Sequence, residues 1–182
     1  MTKSMTGSFY LTETITLPAA NPSGTRVTGT VDLSAYVNVP TGQCVAIESV
    51  DFIYQWGSTY NGAGAGMLAA NGAITGQLVD LNPANAFVRA DSQALIASGT
   101  LCIDDANNIV SHSTDLYPDN FGPASLSEAF LVVNDTLYLT GGNQNTAVGG
   151  SAAFVTARIR CRVVKLSNKD WIAIAIQSTA EA

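Results

Sequence analysis

The chain has 182 residues and a net charge of −6, and only 12% of its residues are Asp, Glu, Lys or Arg, about half of the roughly 25% found in ordinary soluble domains. A single histidine, His112, argues against chemistry or metal binding that needs several imidazoles. Eight basic residues, with no basic arm at either end, disfavour direct nucleic-acid binding by most of the surface. Apolar residues make up 47% of the chain, and so few charges can hardly keep its surface in water unless partners cover it. This imbalance indicates a structural protein that assembles.

The first residues and the cysteines give no sign of secretion. Residues 1–4 do not lead into an apolar run, so we expect no signal peptide, and no stretch of about 20 apolar residues could span a membrane. The cysteines are odd in number, widely spaced and free of any C-x-x-C pair. We predict buried reduced thiols at Cys44, Cys102 and Cys161.

Alternation of apolar and polar residues predicts strands in the first third of the chain. Apolar residues occupy most odd positions from Phe9 to Leu17 and again from Val27 to Val37, and the segment 18–24, which contains Pro and Gly, separates the two runs as a loop. The next run, Cys44 to Trp56, changes phase from odd to even apolar positions. This change predicts a β-bulge near Glu48-Ser49, or a strand that passes from one sheet to another.

The remaining segments continue the strand pattern with two interruptions. The Gly- and Ala-rich residues 57–72 predict a long surface loop, and residues 91–98 predict a short helix between an acidic or Ser cap and Gly99. A second loop is expected over 141–150. Further strands are predicted at Ile74–Leu81, Leu101–Asp104, Ile109–Ser113, Ala129–Val133, Thr136–Thr140 and Ala152–Leu166.

The segment after the last strand carries two conflicting signals. Ser167-Asn168-Lys169-Asp170 resembles a capping box that opens a helix. The alternating isoleucines at 172, 174 and 176 are β-branched and favour a strand. Both structures stay open for residues 167–177, and the strand is the one that we favour. The total of eight or nine strands indicates an all-β sandwich or barrel, with residues 1–182 forming one domain.

Three polar groupings could carry chemistry, and each has an ordinary structural interpretation that we favour. Adjacent residues of a strand point to opposite faces, so Ser111-His112-Ser113-Thr114-Asp115 does not supply the geometry of a catalytic triad. The oxygen-rich residues 104–108 fail the calcium-loop spacing and are typical of a turn. The glycines at 62, 64 and 66 lack the third glycine of a dinucleotide loop. We therefore predict no catalytic residue, no metal site and no cofactor.

A stripe of arginines is the most unusual feature of the sequence. Arg158, Arg160 and Arg162 have the period-two spacing that places side chains on one face of a strand. Three adjacent guanidinium groups repel one another unless carboxylates or phosphates lie near. The stripe predicts either contact with an acidic neighbouring subunit, a lipid layer or nucleic acid, or pairing with carboxylates of its own sheet.

Three stretches resemble those of viral single-jelly-roll coat proteins: 31–37 (VDLSAYV), 48–54 (ESVDFIY) and 160–166 (RCRVVKL). This resemblance in pattern implies a single jelly-roll sandwich of two antiparallel sheets with about eight strands. It implies a non-enzymatic structural protein that assembles with copies of itself into an icosahedral virion shell, in the host cytoplasm. Other capsid or vertex proteins and an internal lipid membrane are further partners that the resemblance allows, while the missing basic arm argues against direct contact with a genome.

A carbohydrate-binding module is the alternative function on the same fold. Jelly rolls also form lectins, and Trp56 and Tyr60 beside the glycine-rich loop would then make the contacts with a sugar. A cupin-type enzyme is a third class, which the single histidine disfavours.

Overall fold

The computed structural model describes residues 3–116 and 130–180. Within them are one α-helix, α1 (Asn168–Ala180), and two short 3₁₀ helices at Gly64–Gly66 and Asp105–Asn107. The strands are β1 (Lys3–Ser4), β2 (Phe9–Leu17), β3 (Arg26–Asp32), β4 (Gln43–Trp56), β5 (Gly72–Val79), β6 (Leu95–Asp104), β7 (Ile109–Leu116), β8 (Phe130–Val132), β9 (Thr136–Gln144) and β10 (Ala153–Lys165).

The strands form two antiparallel sheets whose order identifies the fold. In sheet A, β10 pairs on one side with both β2 and β1 and on the other with β4, which pairs with β8. Sheet B has the order β3-β9-β5-β6-β7. Successive strands such as β2 and β3, β4 and β5, or β9 and β10 lie in opposite sheets, which is the arrangement of a jelly roll. The predicted jelly-roll sandwich is confirmed, with ten strands in the described residues.

The core lies between the sheets because each strand presents alternate side chains to it. On β10 the side chains of Val155, Ala157, Ile159 and Cys161 are fully buried, as the period-two pattern predicted. The ring of Phe52 lies against β6 so closely that a Cβ at Gly99 would come within 2.9 Å of it. The Tyr54 hydroxyl donates a hydrogen bond of 2.7 Å to the Gly99 carbonyl, which joins the two sheets directly.

The predicted β-bulge lies in β4. Arg160 of β10 is paired with Ser49 and the next residue, Cys161, with Ile47, so that Glu48 has no residue opposite it. The extra residue explains the change of phase: Ile47 and Val50 both face the core although they are three positions apart.

Several predicted element boundaries were wrong because local signals were outweighed by sheet pairing. Residues 91–94 form a turn, and β6 begins at Leu95, so the predicted helix over 91–98 does not form. Strand β9 continues to Gln144 and takes up part of the predicted 141–150 loop, since its glycines pair with β3 and β5. Conversely, β3 ends at Asp32, and a turn replaces the predicted continuation to Val37.

Of the two structures left open for the C-terminal isoleucines, the helix forms, as α1, and the favoured strand is wrong. The Ser167 hydroxyl accepts a hydrogen bond from the Asp170 N–H (3.2 Å) and donates one to its carboxylate (2.8 Å), so the capping signal prevails. Trp171, Ile174 and Ala175 then pack on a patch of sheet A that faces away from the main core. The patch consists of Cys44, Ala46, Val133, Val164 and Leu166.

The cysteine prediction holds at two of three positions. Cys44 and Cys161 are buried, and burial raises the pKa of both thiols to about 12. Cys102 is exposed, because it lies on the outer side of β6. No helix in residues 3–116 and 130–180 has the length and apolar character needed to cross a membrane.

Candidate functional site

The outer face of sheet A carries the arginine stripe and is the candidate site. We use this name for the surface formed by Tyr10, Thr12 and Thr14 of β2, Arg158, Arg160 and Arg162 of β10, and Glu48, Asp51 and Ile53 of β4. The three arginines alternate with buried residues along β10. This alternation confirms the prediction that their side chains share one face of the strand. β10 is a central strand, paired along both sides, rather than an edge.

The bulge residue Glu48 pairs with two of the arginines. Its Oε2 lies 3.0 Å from Arg160 Nε, and its Oε1 accepts a hydrogen bond from Arg162 Nη1. The Ser8 hydroxyl donates to the same carboxylate at 2.8 Å. Glu48 therefore connects β4, β10 and the segment before β2. Because the bulge changes the direction of its side chain, the Glu48 carboxylate points at the arginine stripe.

The electrostatics of Glu48 reflect two opposed effects. Desolvation by burial acts to raise its pKa. Hydrogen bonds from Ser8 and Arg162, with the charges of Arg162 and Arg160, outweigh burial and hold the pKa of Glu48 below its usual value. The carboxylate is thus ionised at neutral pH and offsets part of the positive charge of the stripe.

Arg158 has a different environment. Its guanidinium carbon lies 5.1 Å from the centre of the Tyr10 ring, a cation–π contact at the surface. In the strand register Arg158 is opposite Asp51 of β4 and Thr12 of β2. The stripe therefore consists of one part that is paired with Glu48, namely Arg160 and Arg162, which keeps a net positive charge, and one part at Arg158 that contacts the Tyr10 ring.

The sequence missed the residue that organises this site. It predicted the stripe and its two interpretations, and the pairing with carboxylates of the same sheet is present at Glu48. The signal for Glu48 was the change of phase in β4, which located the bulge without identifying its side chain as the partner. Contact of Arg158, Arg160 and Arg162 with a neighbour stays a prediction.

Pairs of threonine hydroxyls occur on the outer sides of both sheets. On sheet A the hydroxyls of Thr14 and Thr156 lie 2.8 Å apart. On sheet B two further hydroxyl pairs span 3.0 and 3.1 Å, and they join Thr28 to Thr140 and Thr75 to Thr100. These hydroxyls keep a hydrogen-bond partner when water is removed, so these surfaces are cheaper to cover than charged ones.

The two aromatic residues predicted for loop-mediated contact have different surroundings. Trp56 packs against the core, and a Cβ at Gly66 would come within 2.6 Å of its indole ring. Tyr60 is 60% exposed, and its ring lies 5.3 Å from that of Phe154. Trp56 and Tyr60 do not form one aromatic surface on which a sugar could stack. Contact of either residue with a partner stays a prediction.

The other polar groupings are taken up by local interactions. His112 is exposed at its position on β7, with its ring 5.6 Å from that of Tyr54, while the side chain of Asp115 lies outside the described residues. The Asp104 carboxylate accepts hydrogen bonds from the backbone and side chain of Asn107, as a turn requires. In the described part of the chain no three His, Cys, Asp or Glu side chains come together as a metal site.

Comparison with known proteins shows that the chain resembles solved structures in its general fold. No protein-family model and no curated protein matches the chain. Among solved structures, tomato aspermy virus matches with a TM-score of 0.39 and 9% identity over 88% of this chain and 80% of that one. VP1 of Trichodysplasia spinulosa-associated polyomavirus, in complex with GM1 oligosaccharide, matches with a TM-score of 0.42 and 11% identity over 90% and 97% of the two chains. Turnip yellow mosaic virus matches with a TM-score of 0.32 and 9% identity over 89% and 98%.

These solved structures are of viral capsid proteins. With TM-scores below 0.5 and identities no higher than 11%, the likeness extends to the general fold alone.

Proposed function

We propose that this chain is a structural capsid protein, many copies of which assemble into the shell of an icosahedral virion. The observation that carries the proposal is the nature of the jelly roll's outer faces, which combine paired threonines, internally paired arginines and exposed apolar side chains. Such a surface is suited to being covered by other subunits. Other capsid or vertex proteins and an internal membrane are further neighbours that the proposal includes, as is assembly in the host cytoplasm.

The low desolvation penalty of these faces is the first support. A buried donor or acceptor that loses its partner costs about 1–3 kcal/mol. The pairs Thr14–Thr156 and Thr75–Thr100 avoid this loss because each hydroxyl already has a protein partner. Glu48 likewise keeps Arg160 and Arg162 paired when water leaves. These particular groups therefore keep their hydrogen bonds and ion pairs when a neighbouring subunit covers them.

The distribution of exposed apolar side chains is the second support. Single exposed apolar residues are ordinary. Here they accompany a chain with 12% charged residues and only three lysines, a residue type that is depleted from interfaces. They occur on strands, loops and the helix, so several sides of the molecule can contact neighbours. The large ones are Met5, Tyr10, Val39, Ile53, Tyr60, Ile109, Ile172 and Ile176.

Shell formation from such contacts requires many modest interfaces. A standard interface buries about 1,600 Å², and at about 25 cal/mol per Å² its gross apolar contribution far exceeds the net affinity, since association entropy offsets most of it. Weak contacts between symmetric copies add up once a ring or shell closes. Reversible single contacts also allow misplaced subunits to dissociate during assembly.

Electron microscopy and sedimentation velocity of the purified chain test the proposal. We expect shells, capsomers or ordered sheets above a threshold concentration, over a range of salt and pH. A monomer at every concentration would contradict the proposal, and a monomer that binds immobilised glycans would favour the carbohydrate-binding alternative.

A further inference from the structure

The glycine-rich loop after β4 contains one of the two Asn-Gly dipeptides in the chain. The first is Asn61-Gly62, in this loop, and the second is Asn71-Gly72, where β5 begins. Because glycine has no Cβ, its backbone nitrogen is unhindered and can attack the side-chain amide carbon of the preceding asparagine. The two dipeptides are identical, so a difference in their reactivity in the folded chain comes from their surroundings.

The Asn61 side chain is folded back over its own backbone. Its Oδ1 accepts a hydrogen bond of 3.0 Å from the Ala63 N–H, which closes an Asx turn around the Gly62 peptide. Its Nδ2 donates to the Thr59 hydroxyl at 3.1 Å, so both ends of the amide are held. In the described part of the chain the Gly62 N–H has no hydrogen-bond partner, and residues 61–63 are exposed to water. The nitrogen is therefore free and lies beside the amide carbon that it would attack.

The same turn places a hydrogen-bond donor where negative charge develops. When the Gly62 nitrogen attacks Cγ of Asn61, the amide oxygen Oδ1 becomes an oxyanion. The Ala63 N–H already points at this oxygen, so it stabilises the developing charge without rearrangement of the loop.

Asn71 is exposed as well, but its surroundings oppose this step. Its Oδ1 accepts a hydrogen bond of 3.3 Å from the Ala106 N–H, which holds the side chain against the turn between β6 and β7. Gly72 pairs with Ile103 of β6, and a Cβ on Gly72 would come within 2.4 Å of the Gln144 carbonyl oxygen. The Gly72 nitrogen thus belongs to a crowded, paired strand that ring closure would have to distort.

We propose that Asn61 is a site of spontaneous modification, at which the folded chain converts the side-chain amide into a carboxylate by way of a succinimide. A bond forms between Gly62 N and Asn61 Cγ, and the nitrogen gives its proton to water. The Cγ–Nδ2 bond breaks, and the amide nitrogen leaves as ammonia after taking up a proton. Water then opens the ring: cleavage at Cγ leaves aspartate, and cleavage at the backbone carbonyl carbon leaves iso-aspartate. The reaction occurs within one chain and does not depend on the proposed assembly.

The product alters the surface at this end of β4. The new carboxylate adds one negative charge next to Tyr60, which is 60% exposed. The Asn61 carbonyl accepts a hydrogen bond of 3.0 Å from the Trp56 N–H, and iso-aspartate displaces this carbonyl because it lengthens the main chain by one carbon. Modification therefore changes both the charge of the loop and the closure of the turn.

Peptide mapping by mass spectrometry during prolonged incubation tests the proposal, with iso-aspartate detected by methylation with isoaspartyl methyltransferase. In the folded protein we expect Asn61 to react about tenfold faster than Asn71 or more, which corresponds to about 1.4 kcal/mol in the barrier. In concentrated urea the two should react at similar rates. Equal rates in the folded protein would overturn the proposal. A preference for Asn61 that persists in urea would overturn it too, because the neighbouring sequence would then explain the preference.

Ala63→Pro removes the N–H that donates to Oδ1 and separates its effect from that of exposure. The φ of Ala63 is −73°, which proline adopts without strain, and glycine at position 62 tolerates a following proline. The reaction at Asn61 should slow by about fivefold to tenfold, less than in a water-free site because water can replace the donor. Ala63→Leu keeps the N–H and should react like the wild type. An unchanged rate in Ala63→Pro, with the fold intact by circular dichroism, would overturn the proposal, since exposure alone would then account for the reaction.

Discussion

Two carboxylates on the strands that flank β10 in sheet A, Glu48 on β4 and Glu13 on β2, have opposite environments, because they face opposite sides of the sheet. Glu48 lies on the outer face among Ser8, Arg160 and Arg162, which stabilise its charged form. Glu13 is on the inward side of β2, opposite Gly29, where its carboxylate occupies the space that a side chain on Gly29 would fill. Burial raises the pKa of Glu13, because it disfavours the charged form of the carboxyl group.

Replacing Glu48 by Gln should destabilise the fold by about 1–2 kcal/mol at pH 7, because two arginines lose their shared charged partner. The pKa of Glu48 is lowered in the folded state, so its stabilisation is present above the usual value of 4.5 and is lost as the pH falls through the folded-state value. Urea unfolding from pH 7 to pH 3 measures this, and the difference between wild type and Glu48→Gln should shrink at the acid end.

The matched control is Asp51→Asn, an exposed carboxylate further along β4, for which we expect a change within about 0.5 kcal/mol. Equal losses for the two variants would contradict the role of Glu48 as the partner of the stripe.

Replacing Glu13 by Gln should have the opposite effect and raise stability at pH 7 by up to about 1 kcal/mol. The raised pKa means that folding favours the protonated carboxyl, so stability from this group is full below the usual value of 4.5 and is lost as the pH rises through the folded-state value. The advantage of Glu13→Gln should therefore disappear in acid. A loss of stability at pH 7 would show that the carboxylate is held by favourable contacts instead.

At the scale of elements, α1 shows how packing and capping together overrule strand propensity. The outward apolar patch on sheet A needs a cover, and a helix can present Trp171, Ile174 and Ala175 to it on one side. A strand would alternate these residues between two faces and leave part of the patch exposed. The Ser167 cap sets the point at which the helix begins.

Ser167→Ala should remove the cap and destabilise α1 by about 1 kcal/mol. Hydrogen exchange would detect this as faster exchange of the amides in the first turns of α1, with the sheets unaffected. Ser58→Ala, in an exposed turn, is the control and should leave exchange in α1 unchanged. Unchanged exchange in Ser167→Ala would mean that packing on the patch alone holds the helix.

At the scale of the whole molecule, the net charge of −6 and the low content of charged residues, 12%, determine how assembly responds to salt. Contacts between apolar and small polar surfaces do not weaken when charges are screened, whereas repulsion between like-charged copies does. We expect light scattering from assembling protein to increase as NaCl rises from about 0.05 to 0.5 M, with the Debye length falling below about 10 Å. Dissolution of assemblies over this range would instead indicate that opposite charges hold the subunits together.

What the sequence determined by itself was the class of fold and the layout of its faces. Alternation at period two located most strands, the change of phase located the bulge in β4, and the spacing of Arg158, Arg160 and Arg162 placed them on one face. These features are local, since a strand's two sides follow from the backbone alone.

Only the tertiary structure decided which residues meet. The pairing of Glu48 with the stripe joins residues over 110 positions apart in sequence, as the separation of 114 between Glu48 and Arg162 shows, and it depends on β4 lying next to β10. The extension of β9, the start of β6 and the formation of α1 likewise depend on neighbouring strands and on an apolar patch assembled from three separate segments. No short window of sequence contains these contacts, because their free energy comes from surfaces that exist only once the sheets have formed.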